Sequence, residues 1–280
     1  MFRIIQQTIR TGVVTTTYPE TPADVPQSFR GKPVFDFERW QDARPAAEVC
    51  PTRAIALRDN EGERTVTIDY GRCIFCGLCA EAAPGQAVRI TRDFELATRD
   101  RSHLIVTADY RLNPDGTHGR LLRVSTSEDD VETAGRRTQT TIRKVLGRSL
   151  AIRQVDAGSC NGCELEIVAL NNPVYDIERF GIHFVASPRH ADMLLVTGPV
   201  TRNMELALLK TFRATPDPKI VVAVGACGIS GGIFGENYAS LGGVENVLPV
   251  DVYIPGCPPR PQALLHGILL AVERMAEKPL

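Results

Sequence analysis

The chain has few of the features that would place it in a membrane, outside the cell or on a nucleic acid. No apolar run reaches the 18 or so residues that a membrane-spanning helix needs. The longest candidate, LLHGILLAV at 264–272, contains a histidine and a glycine. The N-terminus shows neither an apolar signal core nor a twin-arginine pair. A net charge of −1 argues against any overall attraction to nucleic acid. We therefore expect a cytoplasmic chain that binds no nucleic acid and recognises its partners through local surfaces.

Aromatic residues are also scarce, at 6 % of the chain, but a hydrophobic fraction of 43 % excludes disorder throughout. The length of 280 residues favours one large or two ordinary domains. Cysteine is not scarce, because the chain has eight. In the cytoplasm thiols stay reduced, so these cysteines are better explained as metal ligands than as disulfides.

The first four cysteines have the spacing of an iron–sulfur site. Three follow each other as C-x2-C-x2-C and a remote Cys-Pro supplies a fourth, which is the ligand pattern of one [4Fe–4S] cluster in a bacterial-type ferredoxin. They are Cys50, Cys73, Cys76 and Cys79. Zinc sites usually use two separated C-x-x-C pairs or Cys/His pairs instead. Short apolar stretches at 54–57 and 64–69 predict strands, and the pattern of the segment predicts a ferredoxin-like α+β unit.

The ligands of a second cluster are missing from this unit. A two-cluster ferredoxin would carry cysteines at four further positions, which here are Trp40, Ala43, Ala46 and Ala83. All four ligands of one cluster are absent while all four of the other remain. We predict that one cluster site has been filled in, with the Trp40 indole contributing to the packing.

The remaining N-terminal segments carry weaker patterns. Residues 1–12 predict a short amphipathic helix, which either packs on the body of the protein or lies in a membrane interface. The proline-rich segment 15–33 predicts an extended strand of chain that leans on another domain or subunit. We divide the chain into 1–33, a single-cluster ferredoxin-like domain at 34–112, a linker at 113–150, and a second domain at 151–280. Basic residues of the linker are expected on a solvated or partner-facing surface: Arg136, Arg137, Arg143, Lys144 and Arg148.

Residues 151–280 alternate short apolar strands with helical stretches. This pattern predicts a flavodoxin-like, doubly wound parallel sheet that is covered by helices on both faces. In such sheets ligands lie beyond the carboxyl ends of the strands, near a switch point in strand order. The other four cysteines all fall at predicted strand ends and can share one site, although spacing alone leaves open whether it holds zinc or an iron–sulfur cluster: Cys160, Cys163, Cys227 and Cys257.

Several motifs of this second domain resemble one protein family. GSCNGCE, GPVTRNM, VGACGISGG and VDVYIPGCPPRPQALLHGI resemble the small subunit of membrane-bound, energy-converting [NiFe] hydrogenases of the formate hydrogenlyase type. They also resemble the 20 kDa subunit of respiratory complex I. Residues 1–105 resemble the ferredoxin subunit of the same complexes, through TTTYPETP, FRGKP, CPTRAI and RCIFCGLCAEA. The chain thus looks like a fusion of two neighbouring electron-transfer subunits.

The resemblance implies that the cysteine set of the second domain binds a [4Fe–4S] cluster next to the active site of a large partner subunit. The chain would then hold two [4Fe–4S] clusters in series within a multi-subunit oxidoreductase. Its partners would be that catalytic subunit, membrane subunits, and an electron-donating ferredoxin-type or dehydrogenase subunit, with the complex on the inner face of the cell membrane. Complex I relatives typically have two adjacent cysteines where this chain has Cys160 and Cys163, so the hydrogenase branch is favoured. A quinone-reducing module and a zinc-stabilised binding protein without redox function are the alternatives.

Two further features have two interpretations each. Glu164 either lies on a proton route at the subunit interface or is a first-turn acid that favours the N-terminus of a helix. The glycines of 225–235 suggest a phosphate cradle, but no lysine or serine follows in the required pattern. We expect instead that they let backbone N–H groups approach the cluster sulfurs.

Overall fold

A computed structural model describes residues 2–126 and 148–277 of the chain. The predicted basic positions 136, 137, 143 and 144 therefore lie outside the described residues. Residues 2–126 form three α-helices, α1 (Phe2–Thr11), α2 (Arg44–Glu48) and α3 (Leu78–Ala82). Its strands are β1 (Pro33–Phe35), β2 (Ile55–Asn60), β3 (Glu63–Asp69), β4 (Val88–Ile90), β5 (Ile105–Leu112) and β6 (His118–Thr126).

These strands form two antiparallel sheets, one of β1 and β4 and one in the order β2-β3-β5-β6. The sequence of β3 matches its place in the sheet, because buried side chains alternate with half-buried ones along the strand. Val66 and Ile68 face the core, whereas Thr65 and Thr67 face away from it. The strands expected at 54–57 and 64–69 are present, so the N-terminal half is a ferredoxin-like α+β unit with an enlarged sheet.

The strand β6 lies inside the segment predicted to be a linker. The turn before it is closed by a backbone hydrogen bond from Asn113 N to Thr117 O of 2.9 Å, and Gly116 adopts a φ of +78°. The strand then pairs with β5 along most of its length. This strand was not predicted from the sequence. Most of its side chains are exposed, so it lacks the alternation of apolar and polar residues that marks a strand.

The four positions of the missing cluster ligands lie in the hydrophobic core. Trp40 is only 1 % exposed, and Ala43, Ala46 and Ala83 belong to the same buried cluster. The Trp40 ring lies 5.0 Å from that of Phe35 and 6.1 Å from that of His118, measured between centroids. His118 comes from β6 and donates a hydrogen bond from Nδ1 to the Trp40 carbonyl at 2.7 Å. Aromatic and aliphatic side chains, including one from the unexpected strand, thus fill this region.

The C-terminal half contains one parallel sheet. Its strands are β7 (Leu150–Asp156), β8 (Ile182–Phe184), β9 (Met193–Thr197), β10 (Ile220–Val224) and β11 (Val252–Ile254), in the order β11-β10-β9-β7-β8. The helices are α4 (Gly162–Ala169), α5 (Arg202–Ala214), α6 (Gly225–Ser230) and α7 (Pro261–Glu277). Counted within this half, the strand order is 2-1-3-4-5, which is the flavodoxin-like order.

Burial in this sheet follows the predicted pattern. All five residues of β9 and all five of β10 are buried, as expected for strands that are covered on both faces. The order of the strands reverses between β7 and β9, so this half has a switch point at the carboxyl ends of those strands. The α6 helix was not expected, because its sequence GACGIS has two glycines and no helical pattern.

The two halves are joined by backbone pairing as well as by packing. Thr98 donates to Tyr253 O at 3.0 Å and accepts from Tyr253 N at 2.8 Å, which extends the parallel sheet beyond β11 by one antiparallel bridge. Ser230 Oγ donates to Gly71 O at 3.2 Å, and Arg99 pairs with Glu273 at 3.3 Å. One buried cluster of apolar side chains also runs from the ferredoxin-like half to one face of the parallel sheet.

The proline-rich segment before β1 lies on the body of the protein, as predicted. Thr16 N donates to Val174 O at 2.8 Å, and the Tyr18 hydroxyl donates to Glu95 at 2.7 Å. Farther along, Arg30 donates to Cys76 O at 2.8 Å. The segment therefore links the two halves. Within residues 2–126 and 148–277, no helix combines the length and the apolar character that crossing a membrane requires.

Candidate metal centres

The first cysteine set surrounds one cavity in the ferredoxin-like half. Cys50 follows α2, and the other three belong to the run that enters α3: Cys73, Cys76 and Cys79. The chain can turn tightly within this run because Phe75 and Gly77 both have positive φ, at 55° and 86°. All four cysteines line the cavity, and most of the other lining residues are apolar, such as Phe35 and Ile68.

The surroundings of these thiols are largely apolar and supply N–H donors. Ala54 N donates to Cys50 Sγ at 3.2 Å, and Phe75 N donates to Cys73 Sγ at 3.4 Å. Burial raises the pKa of Cys73 to about 12 and that of Cys79 to about 11. Without a metal these two thiols are protonated at neutral pH, so a cation that binds them must displace their protons.

The second set is gathered at the carboxyl ends of the parallel strands. Cys160 and Cys163 follow β7, Cys227 lies in α6 after β10, and Cys257 follows β11. Burial raises the pKa of Cys227 to about 11, with further contributions from the neighbouring thiolates of Cys257 and Cys160. Burial also raises the pKa of Cys163, and the charges of Glu164 and the other three cysteines act in the same direction. The charges of these four thiols thus affect one another's pKa values. That the four hold one centre stays a prediction.

Two glycines leave room for this second set. Gly225 has a φ of +76°, and a Cβ there would lie 2.9 Å from Cys163 Sγ. Gly232 has a φ of +55°, and a Cβ there would lie 2.8 Å from Cys227 Sγ. Any other residue would crowd a sulfur as well as strain the backbone. Two of the glycines therefore lie close to sulfurs of this set. That backbone N–H groups of this stretch approach the cluster sulfurs stays a prediction.

The two sets lie next to each other. Cys76 of the first and Cys257 of the second line one cavity of about 340 Å³ between the two halves. After burial and the charge of Cys160, the charge of Cys76 also contributes to raising the pKa of Cys257. Phe75 lines both this cavity and the one that the first set surrounds.

Each set fits a four-iron cluster by the chemistry of its donors. Both are made only of thiols, which are the ligands of Fe–S clusters, and one of them surrounds a cavity with a largely apolar lining. Among the described residues, no three His, Cys, Asp or Glu side chains converge closely enough to hold a single metal ion.

Glu164 lies in the first turn of α4, directly after Cys163. Its Oε1 accepts hydrogen bonds from the Thr197 hydroxyl and, at 3.5 Å, from Gln154 Nε2. Its Oε2 is buried and has no hydrogen-bond partner in the described part of the chain. The first-turn position agrees with a helix-stabilising acid. A place on a proton route stays a prediction.

Three polar residues that support Cys76 and Glu164 were not predicted from the sequence. Arg30 holds the backbone of Cys76 through its carbonyl, and Gln154 and Thr197 orient Glu164 from the strands β7 and β9. No local motif marks them, because each acts from a distant segment. The one available signal was Thr197, a polar residue that ends an otherwise apolar strand run.

The C-terminal half is similar to known proteins. Residues 160–271, which include the whole second set, match the family described as "NADH ubiquinone oxidoreductase, 20 Kd subunit". The chain is 53 % identical over 135 residues to the probable membrane-bound hydrogenase subunit mbhJ of Pyrococcus furiosus, a match that covers 48 % of this chain and 80 % of that protein. The chain belongs to this family.

Three further proteins are similar to this chain. Formate hydrogenlyase subunit 7 of Escherichia coli is 51 % identical over 140 residues, covering 50 % of this chain and 55 % of that protein. An NADH-quinone oxidoreductase subunit of Citrifermentans bemidjiense is 47 % identical over 116 residues, covering 41 % of this chain and 68 % of that protein. A chain of the membrane-bound sulfane sulfur reductase, an archaeal respiratory membrane complex, is 40 % identical with a TM-score of 0.42, covering 48 % of this chain and 73 % of that chain.

Proposed function

We propose that this chain is an electron-transfer subunit of a membrane-associated, hydrogenase-type complex and holds two [4Fe–4S] clusters. One would be bound by Cys50, Cys73, Cys76 and Cys79, and the other by Cys160, Cys163, Cys227 and Cys257. The observation that carries this proposal is the adjacency of two all-cysteine sets, with Cys76 and Cys257 lining one cavity. Clusters bound there would supply one-electron transfer to or from the catalytic centre of a partner subunit.

The chain's own residues would hold and protect these centres. The apolar lining of the first cavity keeps water from the thiolates, and the N–H groups of Ala54 and Phe75 stabilise negative charge on two of the sulfurs. Gly225 and Gly232 would leave space for the second cluster. The pairing of Thr98 with Tyr253 and the bond from Arg30 to Cys76 O keep the two sets in fixed positions.

An exposed apolar surface next to the second set suits a large partner subunit. Cys160 and Cys257 are themselves exposed. Leu165 and Val168 of α4, which starts between Cys160 and Cys163, are exposed as well, and the loop after Cys227 exposes further large apolar side chains. Contiguous apolar surface on a folded chain usually marks a protein interface. We therefore place the catalytic subunit, in this proposal, on the face that carries the second set.

A second candidate function is a module that passes electrons to quinone. Relatives from NADH-quinone oxidoreductases reach 51 % identity, which equals that of the formate hydrogenlyase subunit, so identity does not separate the two functions. The spacing of Cys160 and Cys163 favours the hydrogenase branch. The remote alternative is a zinc-stabilised binding protein, which would contain zinc instead of iron and sulfide.

Substitution of single ligands tests the assignment of the two sets. In the anaerobically prepared chain, Cys73→Ser and Cys163→Ser should each remove the EPR signal and roughly four iron atoms of one cluster and leave the other, if each set holds four iron atoms. Loss of both signals in either variant would contradict two separate sites.

The partner decides between the two functions. The complex purified from its native source should contain a large subunit with two C-x-x-C pairs for nickel, together with membrane subunits. A large subunit without those pairs would overturn the hydrogenase assignment in favour of quinone reduction.

A further inference from the structure

The helix α1 exposes an apolar face that nothing in the described chain covers. Ile4, Ile5 and Ile9 are 72 %, 53 % and 78 % exposed, and Val13 and Val14 after the helix are also exposed. The interpretation that this helix packs on the body of the protein is therefore wrong. Leaving five large aliphatic side chains in water within eleven residues is unfavourable, so this face needs a cover.

The helix places its isoleucines and its arginines on opposite sides. At about 100° per residue, the three isoleucines fall within one arc of about 140°. Thr8 lies on the same arc and donates its hydroxyl proton to Ile4 O at 3.0 Å within the helix. Arg3, Gln6, Gln7 and Arg10 occupy the opposite arc, and their side chains are also exposed. Aliphatic residues on one side and arginines on the other are the pattern of a helix that lies in a membrane surface.

Charge favours a lipid cover over a protein cover. The first nineteen residues contain two arginines, Arg3 and Arg10, and the first acidic residue of the chain is Glu20. The whole chain, in contrast, is almost balanced, with 32 basic and 33 acidic residues. A local excess of positive charge beside an aliphatic face complements an anionic headgroup layer over an acyl layer.

The helix is attached at a fixed point. Directly after Val14, Thr15 Oγ1 donates to Pro173 O at 2.7 Å and Thr16 N donates to Val174 O. Arg179 donates to the carbonyls of Thr16 and Tyr18 at 2.5 and 2.7 Å. A bound surface would therefore orient the whole protein instead of only retaining a loose tail.

We propose that residues 4–14 lie in the surface of an anionic membrane, with Ile4, Ile5, Ile9, Val13 and Val14 toward the acyl chains. Arg3 and Arg10 then contact lipid phosphates. This contact is direct and does not depend on the other subunits of a complex. It adds to the proposed function, because the membrane would fix the orientation of both cysteine sets.

Binding to vesicles tests the proposal on the full chain. The chain should sediment with vesicles of phosphatidylglycerol mixed into phosphatidylcholine at roughly one part in three, and the bound fraction should fall with salt as the headgroup charge is screened. Ile5→Glu/Ile9→Glu should weaken the partition at least about tenfold by removing apolar contact. Arg3→Gln/Arg10→Gln should weaken it by on the order of tenfold and abolish the preference for anionic over neutral vesicles.

The matched control is Leu122→Glu/Leu206→Glu, which adds the same charges at two exposed leucines outside the helix. It should bind vesicles as the parent chain does. Equal loss in this control, or unchanged binding of the helix variants, would overturn the proposal. So would helix variants that still bind vesicles but no longer retain a subunit of the native complex, since a protein would then cover this face. Iron content measured on the same samples reports on the proposed function separately.

Discussion

At the scale of single residues, the centres depend on what surrounds the cysteines as much as on the cysteines themselves. The first four cysteines were predicted as ligands from their spacing, and the other four from their places at strand ends and from the family resemblance. Spacing does not reveal which neighbours must be small. Gly232 can be recognised only once the fold brings its Cα close to Cys227 Sγ.

Gly232→Ala should remove the second cluster and leave the first. Its new Cβ would lie 2.8 Å from Cys227 Sγ. We expect about half of the iron to be lost, counted per chain and confirmed by the loss of one EPR signal. Gly235→Ala is the control, because Gly235 also has a positive φ of 59° but its Cβ would meet nothing within 4 Å. If both variants lost iron equally, backbone strain rather than contact with sulfur would be responsible.

His118 should make the chain less stable in acid. Burial lowers its pKa below the usual value of about 6.5, so the folded state binds its proton less readily than the unfolded state does. Its stabilising effect is complete above about pH 6.5 and is lost as the pH falls toward the lowered pKa. The thermal midpoint should therefore decline less between about pH 7 and pH 5 in His118→Gln than in the parent chain. His190→Gln, at an exposed position, should leave that decline unchanged; an unchanged decline in His118→Gln as well would contradict this account.

At the scale of elements, long apolar strands were predicted well and polar ones were not. β9 and β10 are continuous apolar runs, and their sequence alone indicated a sheet covered on both faces. β6 exposes most of its side chains and was assigned to a linker. The helix α6 was missed because two of its six residues are glycines, which approach other parts of the chain closely and give no helical pattern. The periodicity of apolar residues in a sequence indicates which side chains are buried. It therefore does not indicate elements that are held by backbone pairing or by close contact of glycines with other parts of the chain.

Trp40 packs against the hairpin of β5 and β6 in the region where a second cluster would bind. We expect this region to be a packed core that stabilises the fold. Trp40 is almost fully buried against Phe35 and His118. Trp40→Ala should lower the free energy of unfolding by about 3–5 kcal/mol, measured by urea denaturation. Phe234→Ala, at a half-exposed ring, is the control and should cost far less. A loss below about 1 kcal/mol for Trp40→Ala would show that this region is not a packed core.

At the scale of the whole molecule, the two halves share a core and a backbone bridge. Side chains of the ferredoxin-like half and one face of the parallel sheet belong to a single buried cluster, and Thr98 pairs with β11. The shared core could not be predicted from the sequence, which suggested two domains joined by a linker. It depends on contacts between segments far apart in the chain, for which local patterns give no signal.

Such a shared core should make unfolding cooperative. We expect one calorimetric transition for the full chain, because neither half buries its apolar surface alone. Thr98→Pro removes the N–H that donates to Tyr253 O and should lower the midpoint without splitting the transition. Thr8→Pro, in the exposed helix α1, should leave the main transition in place. Two separate transitions in the parent chain would contradict a common core.

The central claim is that the chain holds two four-iron clusters, one for each set of cysteines. The most direct measurement is the iron and acid-labile sulfide content of the full chain, purified without oxygen and counted per mole of protein. We predict about eight iron and about eight sulfide. About twelve iron would show that the region around Trp40 still holds a cluster, about four would leave one cysteine set without one, and zinc as the main metal would contradict the electron-transfer function altogether.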